Sequence, residues 1–470
     1  MAEILANILK KYHPTEAEII TRAFEFAQKA HQGQERHSGE DYITHPVKVA
    51  QILADLNLDH ETIAAALLHD VLEETPIKFE NLEKEFGPAV AFLVQAVTKL
   101  HRVSYSGEKQ YLENFSKMIL GTAKDIRVVL IKLADRVHNL ETLETFKGNK
   151  EKMALETLEV YAPLASRLGM GEIKAILEDL AFPYVHPEEY LKTVAVTQDQ
   201  IKENKNYLEK IKPRVEQILK ENNIVATAIT ARTKHLYSLW KKLQKYDFEL
   251  ERIYDLVALR ILVPDVSACY ETLGMLHKYW QPLPGRIKDY IALAKPNGYQ
   301  SLHTTVFCDD GKITEFQIRT PEMNKNSELG IAAHWAYKEN KNPISKKVAW
   351  INQLRDWQEQ TMSNQEFWEH IKIDFFKDRI FVFTPKGDVI ELPESATPID
   401  FAYAVHSDLG DQCEQAKVNG KIMALNHSLN DGDIVEIVIN KKKNPSRDWL
   451  KIVKTHKAKS KIKENLRLTG

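Results

Sequence analysis

Two imidazoles and two carboxylates stand out early in the chain. His45, the adjacent pair His69–Asp70, and Asp135 sit in or beside apolar segments, where an ionised side chain is costly unless it is paired or bound to a metal. This donor set suits a borderline divalent ion with open coordination positions, such as manganese, iron or zinc, and the missing thiolates argue against a structural zinc. Glu73 follows His69 by four residues and Glu74 follows Asp70 by four. Side chains at that spacing share a helix face, so two carboxylates are expected one turn from the pair. A divalent ion lowers the pKa of water, and an adjacent carboxylate can shuttle its proton. Asp135 and Asn139 are likewise one turn apart.

A second group of residues is basic. Arg232 and Lys234 come first, then Lys241 and Lys242, then Arg286, Lys288 and Lys295. The chain has no P-loop and no G-x-G-x-x-G fingerprint; Gly169-Met170-Gly171 opens none and reads as a helix break. A nucleotide would therefore have to be held by such charges, which neutralise a polyphosphate and stabilise charge that develops on transfer. Two carboxylates lie among them. Alternation places Asp255 on a strand face with Ile253, Val257 and Leu259, where it interrupts an apolar row. Glu315 shares a face with Gln317 and Arg319, opposite Phe316 and Ile318. A polar strand face of this kind is either an open site or a solvent-facing strand, and the pattern alone leaves both open. Tyr299 follows the Asn297-Gly298 turn and can stack on a base.

The elements that must position these residues change in kind along the chain. Up to about residue 180 the apolar period is helical, as in ETIAAALLHDVLEE and DIRVVLIKLADRVHNLETL. Residues 195–223 read as a charged amphipathic helix, or two broken at Pro213, and as a possible hinge. Beyond 223, NIVATAITA, IYDLVALRILV, LHTTVFCDD and KITEFQIRT have strand character. A linker follows. DRIFVFTPKGDVIELP then reads as a hairpin, followed by a short helix and further strands. The expected organisation is a helical domain at 1–180, a helical linker at 181–223 and a mixed-sheet α/β domain at 224–340. Linker helices at 341–376, a small β-grasp-like module at 377–440 and a basic helical segment at 441–470 complete it.

With 470 residues, 43% hydrophobic and 28% charged, the chain is an ordinary globular protein of several domains. No apolar run reaches membrane-spanning length, and the N-terminus lacks a signal-peptide pattern. Cys269, Cys308 and Cys413 form no CxxC pair, which fits a reducing cytoplasm. The net charge of −2 is unevenly spread: Lys441–Gly470 carries eleven Lys and Arg against two Asp and Glu. A basic end on an acidic body points to a polyanionic partner or to a solvated helix.

The first group resembles the HD phosphohydrolases. Arg36-HSGEDYIT-His45-Pro, HDVLEET and Lys132-LADRVHN resemble, more narrowly, the hydrolase domain of the RelA/SpoT homologue family of alarmone enzymes. That resemblance implies an all-helical HD domain in which His45, His69, Asp70 and Asp135 bind manganese. Glu73 and Glu74 would activate water, and Arg36, Ser38 and Asn139 would hold the guanosine end. The family usually has Glu-Asp-Thr where this chain has Glu73-Glu74-Thr75, and Lys where His37 stands.

Arg232-TKHLYSLWKK, Tyr254-DLVALRI, Arg286-IKDYIALAKPNGYQSLHTTV, Glu315-FQIRT and the run from Gly330 to Lys338 resemble the synthetase domain of the same family. This implies a nucleotidyltransferase-like fold that transfers pyrophosphate from ATP to the 3′-hydroxyl of GDP or GTP. Asp255 would bind magnesium. Glu315 would help bind magnesium or accept the hydroxyl proton. Tyr299 would stack on guanine, with Asn297 and His303 beside it. Arg232, Lys234, Lys242, Lys288 and Lys295 would bind phosphates. The Arg286-x-Lys288-Asp289 run matches the bifunctional members. Ala231 stands where a Gly is usual, and Asn324 where a His is usual.

FAYAVHSDLG and VNGKIMALNHSLNDGDIVEI resemble the TGS module, which implies contact with deacylated tRNA on the ribosome, with His406 near the terminal bases. The leading expectation is a cytoplasmic, bifunctional synthetase/hydrolase of the stringent response, C-terminally short for its family and without a membrane partner. Its rivals are an enzyme with one live site, and a ribosome- or tRNA-binding sensor with vestigial enzyme domains. The full set of charged positions in both groups favours the first.

Overall fold

In the first part of the chain, apolar helices surround one that is buried on all sides. The structure, a computed structural model, describes residues 1–101, 125–253, 255–295, 297–309, 311–335 and 379–468. Helices α1 (Ala2–Leu9), α2 (Pro14–Ala30), α3 (Thr44–Asp55), α4 (His60–Leu68), α5 (Val71–Glu74), α6 (Phe79–His101) and α7 (Arg127–Glu141) form the first layers. The α4 sequence HETIAAALL is buried from Thr62 to Leu68, and a helix apolar on every side belongs in a core. It packs against α2, α3, α6 and α7. Its start is fixed by Asp59, which accepts a hydrogen bond from Thr62 N at 3.0 Å, a cap worth about 1 kcal/mol. Helices α8 (Lys150–Glu156), α9 (Ala162–Arg167) and α10 (Gly171–Val185) complete this half.

Helix α11 (Pro187–Glu221) runs through Pro213 as one helix. A proline removes one hydrogen bond and crowds the preceding turn. Here buried residues on both sides of it, Leu208 and Ile211 before, Val215, Ile218 and Leu219 after, pack into one core and keep the helix in line. Its second half is therefore a layer of the sheet domain.

That domain comprises β1 (Ala228–Thr233), α12 (Leu236–Lys245), β2 (Val257–Leu262), α13 (Val266–Tyr279), β3 (Gln281–Pro282), β4 (Lys288–Asp289), β5 (Leu302–Phe307), β6 (Ile313–Arg319), α14 (Pro321–Leu329) and α15 (Ala332–Trp335). The strand order is β1-β2-β6-β5-β3, with β4 also on β5. The β2–β6 pair is parallel and the other pairs are antiparallel, so the sheet is mixed as expected. One face (Leu259, Ile261, Leu302, Val306, Phe316, Ile318) is buried against α11 and α13. The other is polar. Successive side chains of a strand alternate between these faces, which is why each strand supplies both core and site.

The helical and sheet parts form one compact unit. They meet at two glycines. Gly169 (φ +73°) turns α9 into α10, and Gly330 (φ +56°, ψ −126°) ends α14. A Cβ on Gly330 would lie 2.2 Å from Leu168 O, and one on Gly169 would lie 2.8 Å from Asn297 O. Ile331 N donates to Leu168 O at 2.9 Å. Only glycine permits backbones this close in these conformations.

The described residues from Arg379 onward form a second unit. A hairpin of β7 (Arg379–Phe383) and β8 (Val389–Pro393) accompanies a three-stranded sheet, β10 (Lys421–Met423)–β9 (Cys413–Val418)–β11 (Val435–Ile439). Helices α16 (Pro398–Val405) and α17 (Ser407–Asp411) lie between them in sequence, and α18 (Trp449–Ile452) and α19 (His456–Leu468) follow. The fully buried Asp400 carboxylate fastens the end of the chain to this unit. It accepts from Thr397 N (2.9 Å), Thr397 Oγ1 (2.8 Å), Lys454 N (2.9 Å), Thr455 N (2.7 Å) and Thr455 Oγ1 (2.9 Å). Trp449, Val453, Ala458 and Ile462 share a core with Ile399, Ala402 and Tyr403. The basic segment is thus docked rather than trailing. The expected linker helices at 341–376 lie outside the described residues. Among the described residues, no helix is long and apolar enough to cross a membrane.

Candidate active sites

The first site is a buried knot of the four early candidates. His45 comes from α3 and Asp135 from α7. His69 and Asp70 occupy the turn between α4 and α5, not the interior of one helix as their spacing suggests. His45 Nε2 lies 3.2 Å from Asp135 Oδ1 and 3.6 Å from Asp70 Oδ2. His69 Nε2 lies 3.2 Å from Asp70 Oδ1 and 3.9 Å from Asp135 Oδ1. One donor atom from each of His45, His69 and Asp70 falls within 4.8 Å of the others, and all four residues are buried.

This arrangement suits a divalent cation. His69 Nδ1 is 2.7 Å from Ala66 O, which assigns the proton to Nδ1 and leaves a lone pair on Nε2. Among the described residues that buried Nε2 has no hydrogen-bond partner, and it faces two carboxylates. A metal ion would occupy such a lone pair and neutralise the paired anions.

The surroundings hold the ligands in place. Tyr42 donates to Asp70 Oδ2 at 2.9 Å, and Asn139 Nδ2 donates to Asp135 Oδ1 at 2.6 Å. Lys132 is buried and donates to Asp135 Oδ2 at 2.6 Å. Burial works against its charge; the Asp135 carboxylate outweighs this and raises its pKa. His138 Nδ1 lies 2.8 Å from His45 Nδ1. Burial first, then His45 and Arg36, push the His138 pKa down to about 3, so it is a neutral acceptor that orients the His45 ring. Lys132, Tyr42 and His138 have no charge pattern that marks them in sequence; their role comes from where the fold puts them.

Arg36 folds over α7. It reaches Asn139 Oδ1 at 3.1 Å, Thr142 Oγ1 at 3.3 Å and His138 Nδ1 at 3.4 Å. Ser38 is brought no closer than the exposed rim, with its hydroxyl 3.4 Å from Glu40 Oε2. Glu73 is half-buried and Glu74 exposed, one turn beyond the His69–Asp70 pair on α5.

The second site is the polar face of the sheet. Register lines up Arg232 (β1), Ala258 (β2), Glu315 (β6) and Thr305 (β5) in one row. The next row holds Thr230, Arg260, Gln317, His303 and Lys288. Asp255 lies in the turn just before β2, not on the strand as alternation suggests. From there its carboxylate accepts from Lys234 Nζ at 2.7 Å and from Lys242 Nζ. Burial alone would raise the Asp255 pKa; the two ammonium groups override it and hold it at about 2. Burial pulls Lys234 down to about 8 despite Asp255.

Glu315, Gln317, His303, Tyr299 and Arg319 form one hydrogen-bonded chain. Gln317 Nε2 donates to Glu315 at 2.9 Å, and His303 Nδ1 lies 3.3 Å from Glu315 Oε1. Burial lowers the His303 pKa, so the ring is neutral: Nδ1–H faces Glu315 and Nε2 accepts from Tyr299 OH at 2.7 Å. Arg319, fully buried, donates to Tyr299 OH (3.1 Å), Gln317 Oε1 (3.1 Å) and Ser327 Oγ (2.6 Å). A guanidinium there fixes the Tyr299 ring. The sequence marked Gln317 and Arg319 only as face-mates of Glu315. Lys295 lies 5.5 Å from the Tyr299 ring centre, and Asn297 Oδ1 accepts from Tyr299 N at 3.2 Å. Lys288 is exposed at the rim. Burial, joined by the charge of Asp255, works against the Glu315 carboxylate, but His303 and Gln317 outweigh them and lower its pKa. Carboxylate oxygens are donors that suit a hard cation such as magnesium.

His406 belongs to the second unit. It starts α17, with Nδ1 accepting from Asp408 N at 3.3 Å, and its side chain is 70% exposed.

Residues 23–171 match the HD domain, residues 231–342 the region found in RelA / SpoT proteins, and residues 380–439 the TGS domain. The chain is 47% identical over 464 residues to a Myxococcus xanthus GTP pyrophosphokinase, covering 97% of this chain and 61% of that protein. It is 47% identical over 470 residues to a guanosine-3′,5′-bis(diphosphate) 3′-pyrophosphohydrolase of Aquifex aeolicus, covering 99% of this chain and 67% of that protein. It is 43% identical over 472 residues to the Escherichia coli K12 bifunctional (p)ppGpp synthase/hydrolase SpoT, with the same coverage of each. The chain therefore spans between three-fifths and two-thirds of the length of these relatives.

Proposed function

Since the chain belongs to the RelA/SpoT family, we propose that it both makes and degrades guanosine 3′-pyrophosphates in the stringent response. The helical half (1–180) is the hydrolase, the sheet domain (224–340) the synthetase and the module at 377–440 the TGS domain. The observation that carries this reading is the pair of chemically distinct clusters within one unit, one a buried His/Asp knot, the other a sheet face of cations and two carboxylates.

In the hydrolase, His45, His69, Asp70 and Asp135 would hold manganese, which would supply Lewis acidity toward water and the 3′-pyrophosphate. Glu73 and Glu74 take the proton of the attacking water as its oxygen bonds to phosphorus; the 3′-oxygen leaves and takes a proton back from that carboxyl or from water. Arg36, Ser38 and Asn139 hold the guanosine. Because Arg36 and Asn139 are tied to Asp135 and, through His138, to His45, substrate recognition and ligand orientation share one hydrogen-bonded frame.

In the synthetase, Asp255 and Glu315 would hold magnesium, which would offset charge on the transferred pyrophosphate. The 3′-oxygen of GDP or GTP forms a bond to the β-phosphorus of ATP and AMP leaves. Glu315 binds magnesium or takes the hydroxyl proton, and His303 and Gln317 fix its orientation. Tyr299 stacks on guanine beside Asn297. Arg232, Lys234, Lys242, Lys288 and Lys295 hold phosphates. In the second unit, the exposed His406 and the docked basic segment contact deacylated tRNA and the ribosome in the cytoplasm.

Single-turnover assays test the two activities: ATP with GDP should yield ppGpp and AMP, and ppGpp with manganese should yield GDP and pyrophosphate. Failure of the first refutes the synthetase, and failure of the second refutes the hydrolase. For the second unit, filter binding of deacylated tRNA should weaken with His406→Ala; equal binding refutes that contact.

A further inference from the structure

Helix α12 carries much of the synthetase's positive charge. Lys234 lies just before it and Lys242 in its last turn, and both clasp Asp255. Its own N-cap residue, His235, makes no capping bond with its side chain. The cap comes from the other half of the unit. Asp179, on α10, accepts from Tyr237 N at 2.9 Å through Oδ1, and its Oδ2 lies 2.9 Å from His235 Nδ1.

The same face of α10 then seats the helix. Phe182, one turn from Asp179 and fully buried, packs on Trp240 (5.1 Å between ring centres) and edge-on against Tyr237 (5.4 Å). A carboxylate at a helix N-terminus satisfies free amide hydrogens and complements the helix dipole. Here it also fixes where the first turn begins, and so where the two lysines at either end of α12 point.

We propose that Asp179 is a positioning residue of pyrophosphate transfer: from the hydrolase half, it caps α12 and thereby holds Lys234 and Lys242 in the phosphate-binding arrangement. This rests on the reading of the sheet domain as the synthetase. Asp179→Ala removes both contacts. Asp179→Asn keeps an oxygen for Tyr237 N–H, and asparagine caps as well as aspartate.

Both variants and the parent chain would be compared in three ways: amide hydrogen exchange across α12, affinity for a non-hydrolysable ATP analogue, and initial rates of both reactions. Asp179→Ala should expose the Tyr237 amide to exchange. It should weaken the analogue and raise KM for ATP by about twofold to thirtyfold, the range a lost cap commonly costs. It should leave kcat of synthesis within about threefold and ppGpp hydrolysis unchanged. Asp179→Asn should restore KM to near the parent value. Unchanged exchange and affinity in Asp179→Ala overturn the proposal. So does an equal fall of both activities with a lowered melting temperature, which would make Asp179 merely structural. A parent chain that binds the analogue but forms no ppGpp refutes the synthetase reading instead, while exchange and affinity still decide the role of Asp179.

Discussion

Replacing Gly330 by alanine should pry apart the two halves of the catalytic unit. At φ +56° and ψ −126°, an L-residue is strained by about 1–3 kcal/mol. The added methyl would also lie 2.2 Å from Leu168 O and 2.4 Å from the Gly169 carbonyl carbon. Reaching an ordinary separation of about 3.5 Å takes a shift of about 1 Å between two backbones. The same shift stretches the 2.9 Å bond from Ile331 N to Leu168 O beyond hydrogen-bond reach, a further loss of about 1 kcal/mol. Together the structure implies a destabilisation of about 2–4 kcal/mol. Asn297 O rests on Gly169 at the same elbow, so the loop bearing Tyr299 loses its support. KM for GDP should rise severalfold while hydrolysis changes less.

Gly311→Ala provides the control. Gly311 also has positive φ (+74°), but nothing lies within 4 Å of the position its Cβ would take, so it should show the backbone strain of about 1–3 kcal/mol without the clash. Urea unfolding followed by tryptophan fluorescence, with both activities measured below the transition, reads these effects. If Gly330→Ala unfolds at the same urea concentration as the parent, or shifts no more than Gly311→Ala, the close approach of the two elbows is not a rigid contact and the reasoning fails.

Asp70→Ala should bind less than half the parent's manganese by elemental analysis and lose hydrolysis, while synthesis continues; full metal content with normal breakdown of ppGpp would refute the ligand set. Asp255→Asn and Glu315→Gln keep side-chain volume but remove a charge, and each should lower synthesis by at least about 100-fold with an unchanged circular dichroism spectrum. A proportionate loss of folded protein would instead make these carboxylates structural. Asp400→Ala strands several buried donors, with an expected cost above about 3 kcal/mol to the second unit. Trypsin should then cut in the basic segment at Lys457 and Lys459 at concentrations that leave the parent intact.

The helical-then-mixed-sheet order was legible because apolar period is a local signal: HETIAAALL and LHTTVF state their element directly. His45, His69, Asp70 and Asp135 drew notice because charge among apolar neighbours is anomalous within a few residues of sequence. What escaped depends on distance. Pro213 left one helix or two open in sequence, and packing on both sides of it keeps α11 whole. Asp255 alternates as a strand residue should, but the strand starts two residues later, and the turn aims the carboxylate at Lys234 and Lys242. Lys132 resembles any helix-surface lysine until α7 is buried on all sides. Nothing near Asp179 in the sequence hints that its partner is a backbone amide 58 residues away.

The sharing of α10 bears on how this protein can be dissected. The helix packs against α7 on one side and against α12 and α14 on the other, and its Phe182 is covered by aromatic rings from beyond residue 235. A fragment ending before Gly171 would strip α7 of a neighbour, while one ending after Val185 would expose Phe182 to water. A fragment beginning after Val185 would start α12 uncapped and leave Tyr237 and Trp240 open. Neither activity has a clean place to be cut away from the other. Each separated piece should be less soluble than the whole, and a workable split would need α10 supplied twice, once to each piece.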